Sequence, residues 1–223
     1  MDLLISILLP SLILMKLSSP EDLGPTRALI VALSFPLGWG LFELFKYRKF
    51  NFIALLGLIS VLLTGGIGLL QLDAKWLAIK EAAIPAIIGI ATLVSIYTPY
   101  PFVKTFLYNP KIMNIDKIDK KLHELGNTQL FENRLQNATY LLSSTFMFSA
   151  VMNYILAKWI VISPTGSAAF NEELGQMTLL SYPMIAIPST LMMFAILYYL
   201  WRTIRTLTGY KLEEITAISL KQE

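Results

Sequence analysis

Few side chains in this sequence set an ionisable or amide group within an apolar stretch, and those few are where chemistry would be sought. Glu81 follows Lys80 near the start of one apolar run and Glu43 stands near the end of another. In a third, Thr145, Ser149, Asn153 and Ala157 recur every four residues. A charge in hydrocarbon is costly, so such a residue is a functional candidate by default. Lys80 and Glu81, as neighbours, point about 100° apart on an ideal helix and are not expected to face the same element. Lys80 is expected to snorkel to the outer headgroups. Glu81 is then either a carboxylate favoured by the helix dipole, with Asp73 as the upstream cap, or an acid contacting a substrate or ion just below the outer surface. Glu43 lies three residues before Lys46 and four before Tyr47, on one helical face. That spacing reads as an interfacial ion pair or as a proton or cation site at the cytoplasmic mouth of a pathway.

The four-residue stripe from Thr145 through Ser149 and Asn153 to Ala157 either lets helices approach closely and share hydrogen bonds or lines a polar cavity. In the second case Asn153 is the most demanding group, because an unsatisfied amide in hydrocarbon costs several kcal/mol. Ser60, Thr64 and Gly68 form a similar face. Two such faces allow tight contact within a bundle or between protomers of a homo-oligomer.

These residues need elements to position them. Of 223 residues, 55% are hydrophobic and only 15% charged, and mean hydropathy is +0.61. Soluble domains carry about 25% charged residues, so a bilayer is the simpler solvent. The fold class expected is all-α, a polytopic bundle of transmembrane helices. Apolar runs near the length of about 17 to 25 residues needed to cross the hydrocarbon occur at 3–15, 28–45, 52–70, 77–97, 138–162 and 179–200. The expected organisation is helices one to four in 1–108, a cytoplasmic amphipathic loop at 109–137, helices five and six in 138–202, and a cytoplasmic tail at 203–223. The first run is the weakest, being about the length of a signal-peptide core. Asp2 in place of a basic start, and the lack of a small-x-small site before Pro20, argue against cleavage.

Lys46, Arg48 and Lys49 follow the second run, Lys104 to Arg134 supply six basic residues after the fourth, and Arg202, Arg205, Lys211 and Lys221 follow the sixth. Basic residues are retained on the cytoplasmic side, which predicts both termini there. Trp76 and Trp159 mark outer ends, and Tyr97, Tyr100, Tyr198, Tyr199 and Trp201 inner ones. The net charge of +3 is small and concentrated in loops, which fits orientation and not nucleic-acid binding.

In the polar segment, Ile115, Ile118, Leu122 and Leu125 share one helical stripe beside Lys117, Lys120 and Lys121, and Gly126 offers a stop. The pattern predicts a helix on the inner leaflet with its lysines at anionic headgroups, or one packed on the bundle or a protein partner. His123 lies without a carboxylate or cysteine cluster of metal-ligand spacing, and the sequence has no cysteine, so neither a metal nor a cofactor is expected. The sequence contains no G-x-S-x-G elbow, P-loop, H-E-x-x-H or dinucleotide fingerprint, which disfavours an enzyme.

The segments Leu9-Pro10-Ser11-Leu12, Gly38-Trp39-Gly40-Leu41-Phe42-Glu43-Leu44 and Trp76-Leu77-Ala78-Ile79-Lys80-Glu81 resemble the VC0807-like family of small bacterial membrane proteins, loosely grouped with intracellular septation protein A. The resemblance implies an inner-membrane location, a retained first helix, and envelope proteins as partners in maintenance or division; it supplies no catalytic residues. Two functions remain: carriage of a small solute or lipid along Glu81, Asn153 and Glu43, or a structural or recruiting role without transport. A water-filled cavity reaching Asn153 and Glu81 would favour the first, and a dry bundle the second.

Overall fold

The computed structural model describes residues 4–47, 52–108, 110, 113–211 and 214, with backbone alone at 5–6, 43–47 and 52–54. Every regular element among them is helical. After a wide turn over Leu4–Leu8 come α1 (Leu9–Lys16), α2 (Gly24–Tyr47), α3 (Phe52–Leu69) and α4 (Lys75–Ser95). These are followed by α5 (Phe102–Phe106), α6 (Ile115–Glu124), α7 (Thr128–Ile160), α8 (Ala168–Ser181) and α9 (Ile187–Thr208). Tyr182–Ala186 joins α8 to α9 as a wider turn in which the Ile187 N–H reaches back five residues to the Tyr182 carbonyl. Pro183 sits in that turn, and the widening is how a helix passes a residue that lacks an N–H.

Four helical stretches among the described residues are long and apolar enough to cross a membrane, at 24–42, 75–95, 128–160 and 168–208; the apolar part of α3, 55–69, is shorter. The α1 helix has eight residues, which reach about 12 Å against about 30 Å of hydrocarbon. Large apolar side chains point outward from the long helices: Ile87 is 65% exposed, and Leu191 and Phe194 are each 63% exposed. A surface of this kind needs lipid and not water to cover it.

Two elements run further than the hydropathy runs imply. The α7 helix starts ten residues before 138, inside the segment expected to be a loop, and α8 starts eleven residues before 179. At 1.5 Å per residue the 33 residues of α7 reach about 50 Å, well past the hydrocarbon.

The chain forms two compact units. In the first (1–85 and 149–187), α1 packs on α2 and α8, and α2 on α3. Leu14, Leu29, Ile67, Leu77, Leu156, Phe170 and Leu174 form its core. Glycine permits the closest approaches. A Cβ on Gly175 would lie 2.9 Å from the Ser11 carbonyl oxygen, and one on Gly68 2.5 Å from Leu29 Cδ2.

The second unit (86–148 and 188–223) has its own core of Val103, Ile118, Leu122, Phe131, Leu135, Ile204 and Leu207. Of the two readings of α6, packing on the bundle is the one seen. Its apolar stripe at Ile118 and Leu122 is buried among residues of α7 and α9, because those helices extend far enough to cover it. Gly126 does end the helix, at φ +70°, and Asn114 caps its start by accepting from the Lys117 N–H at 3.2 Å.

Candidate functional site

The most unusual group in the first unit is a lysine that does not snorkel. Lys80 sits one and a half turns into α4, and its side chain is 7% exposed. Its Nζ donates to Thr64 Oγ1 at 2.7 Å, to Ser60 Oγ at 3.1 Å and to the Ser60 carbonyl at 3.4 Å. It pairs with Glu81 Oε1 at 2.7 Å. The Thr64 hydroxyl passes its own hydrogen on to the Ser60 carbonyl at 3.1 Å, so the ammonium and the hydroxyl that accepts from it are both engaged. Removing an ammonium and a carboxylate from water costs several kcal/mol per ion, which pairing and surrounding hydrogen bonds must offset.

The expectation that Lys80 would reach the outer headgroups fails for a local reason. The Ser60–Thr64 face of α3 presents acceptors within reach of the butyl chain, and the same flexibility lets the ammonium turn back to its sequence neighbour Glu81. Glu81 is 23% exposed in its side chain and is the edge of the cluster open to the surroundings. Asp73 does cap α4: its Oδ1 accepts from the Lys75 N–H at 2.8 Å, and the Lys75 ammonium lies 3.2 Å from Oδ2. The backbone hydrogen bond from Lys75, with its ammonium beside, holds this carboxyl below the usual carboxylate range.

Two members of the stripe on α7, Thr145 and Asn153, bond within their own helix. Thr145 Oγ1 donates to the Leu141 carbonyl at 3.1 Å, Asn153 Nδ2 donates to the Ser149 carbonyl at 2.8 Å, and Ser149 is also engaged. Thr145 and Ala157 are buried, Ser149 and Asn153 half-buried. A hydroxyl on this helix that does cross to a neighbour is Ser143, which donates to the Gly89 carbonyl of α4 at 2.8 Å. A Cβ on Gly89 would stand 3.1 Å from both Phe146 Cβ and Met147 Sδ, so the small residue is what admits the contact. Glu43 lies on α2, and its proposed pairing with Lys46 and Tyr47 falls outside the described residues.

At one end of the first unit three loops are tied by side chains that the apolar pattern did not single out. Glu173 accepts from the Ile162 and Ser163 N–H groups at 3.0 and 2.8 Å and from Ser163 Oγ at 2.6 Å. Thr165 Oγ1 donates to the Leu72 carbonyl at 2.7 Å. Asn171, 1% exposed, donates to Ser18 Oγ at 3.0 Å and to the Pro25 carbonyl at 2.8 Å. Polar residues in a helix start that follows a loop were the available signal.

In the second unit, Lys117 donates to the Glu214 carbonyl at 3.2 Å and lies 4.9 Å from the Tyr210 ring centroid. Lys121 pairs with Glu124 at 3.2 Å, and Lys120 is exposed. Tyr108 donates to Asp119 Oδ1 at 2.9 Å; burial, then that carboxylate, pushes its phenol well above the usual range. No group of three or more histidine, cysteine or acidic side chains positioned to hold a metal occurs among the described residues. A shallow groove of about 460 Å³ runs along α9, lined by Tyr198, Trp201, Arg202, Arg205 and Thr206; Glu81, Thr145, Ser149 and Asn153 are not part of it.

Comparison with protein-family models, with curated proteins and with solved structures finds no match to this chain. Four helical stretches among the described residues have the length and apolarity of membrane spans.

Proposed function

We propose that this chain is a non-enzymatic, non-transporting structural or recruiting protein of a bacterial inner membrane. Spans that run through both units anchor it, and its polar segments offer a surface to envelope proteins. The observation that carries the reading is how the intramembrane polar groups are satisfied. Thr145 and Asn153 bond to their own helix, and Lys80 is enclosed by Thr64, Ser60 and Glu81. A route for a solute or ion needs polar groups free to meet it, whereas these are bonded within the protein. The topology proposed has both ends cytoplasmic, following the lysine and arginine distribution, with α3 and the short α1 joining the four long stretches as about six spans. The resemblance to the septation-protein group supports a role in envelope maintenance or division.

Carriage of a small solute or lipid is the second reading, and the partial exposure of Glu81 favours it. Proteoliposomes holding a pH gradient separate the two for proton-coupled movement. The structural reading expects the gradient to decay equally fast in vesicles with wild-type protein, with Glu81→Gln and with none. Faster decay with wild-type protein than with none would overturn it.

A further inference from the structure

The face of α9 that turns away from the core of the second unit changes chemistry in order along its length. Leu191 and Phe194 are each 63% exposed. Tyr198 and Trp201 follow with ring centroids 5.5 Å apart, and then come the exposed Arg202 and Arg205. The Arg205 guanidinium carbon lies 5.8 Å from the Trp201 ring centroid. These residues recur at intervals of three and four, so they share one stripe, while Leu200, Ile204 and Leu207 on the other side are buried in the unit's core. No carboxylate among the described residues pairs with either arginine. The Trp201 indole N–H is buried without an acceptor. Together Tyr198, Trp201, Arg202, Arg205 and Thr206 line the groove of about 460 Å³.

We infer that this stripe binds one anionic diacyl phospholipid, with the phosphate held by Arg202 and Arg205 and an acyl chain laid along Phe194 and Leu191. Three observations choose that occupant. Two guanidiniums that no described carboxylate pairs match an anionic phosphate, which they bind through forked N–H groups. Tyr198 and Trp201 have the amphipathic character of side chains that settle at headgroup level. The exposed apolar residues continue from that level for about 15 Å along the helix, which a free phosphate would leave uncovered. The site belongs to the second unit and is independent of whether the first conducts anything.

The test uses the full chain taken from vesicles of phosphatidylcholine with a minor fraction of phosphatidylglycerol, with retained lipids counted by native mass spectrometry. Wild type should keep phosphatidylglycerol in preference to phosphatidylcholine. Each basic residue near an anionic surface contributes about fivefold, so Arg202→Gln with Arg205→Gln should lower that preference by about twenty-five-fold. Arg134→Gln, an exposed arginine elsewhere in the same unit, should leave it unchanged. Both arginines of the groove are exposed, and unchanged circular dichroism will verify that the double variant folds. Equal retention of the two lipids by wild type overturns the proposal, as does an equal loss in Arg134→Gln. Displacement of phosphatidylglycerol by millimolar inorganic phosphate would also overturn it, in favour of a soluble anion site.

Discussion

Glu81→Gln should destabilise the chain far more than an exposed acid ordinarily would. The substitution keeps the shape of the side chain but leaves the Lys80 ammonium, 7% exposed, without the carboxylate 2.7 Å away. Removing one member of a buried pair costs about 3–5 kcal/mol. Glu81 is 23% exposed, and Thr64 and Ser60 still accept from the ammonium, so the lower end, about 3 kcal/mol, is expected. Lys80→Met removes the charge that is hardest to solvate and leaves Glu81 with access to its surroundings, for a smaller loss of about 1 kcal/mol. The double variant replaces the pair by neutral groups of similar volume and should lie within about 1 kcal/mol of wild type or above it. Unfolding in mixed micelles with rising dodecyl sulfate, followed by circular dichroism, gives all three values and the coupling energy. If Glu81→Gln costs no more than Lys80→Met, or the double variant shows the plain sum of the singles, Lys80 is not held as described.

Two further outcomes follow from the packing and the caps. Ile118→Ala should cost about 2–5 kcal/mol in the same unfolding experiment, because the residue is fully enclosed by the chain itself; a helix resting on lipid would lose membrane contact and little fold stability. The Asp73 carboxyl titrates below its ordinary value, so its contribution is complete above the unfolded pKa of about 4 and is lost as pH falls through the lower folded value. The difference in melting temperature between wild type and Asp73→Asn should therefore be full at neutral pH and vanish on strong acidification. A difference that grows on acidification would contradict the cap.

Much of the architecture was legible because it is periodic or terminal. The runs at 28–45 and 77–97 correspond to α2 and α4, Asp73 caps α4, and Gly126 closes α6. The extension of α7 back to Thr128 was hidden by Glu132, Asn133 and Arg134, whose polarity resembles a loop. Phe131, Leu135, Ala138 and Leu142, spaced three and four apart and all buried, carried the helical signal through that stretch. The fate of Lys80 was not legible, since its direction depends on which helix stands beside α4 and on the register that brings Ser60 and Thr64 to it. Asn153 was legible as a polar residue in a span but not as a satisfied one, because an amide can turn to its own backbone as readily as to a neighbour. The ties of Asn171 to Ser18 and Pro25 join positions far apart in sequence, which only the fold brings together.

In a non-transporting bundle the polar groups of α4 and α7 face protein and not water. The chain has no cysteine, so single cysteines can be placed at Thr145, Asn153 and Glu81 and challenged with a membrane-impermeant maleimide in native vesicles opened to both sides. Thr145→Cys and Asn153→Cys should stay unlabelled until the protein is denatured, with Glu81→Cys labelled slowly at most. Rapid labelling of Asn153→Cys together with Glu81→Cys would reveal a continuous aqueous path and contradict a non-transporting bundle.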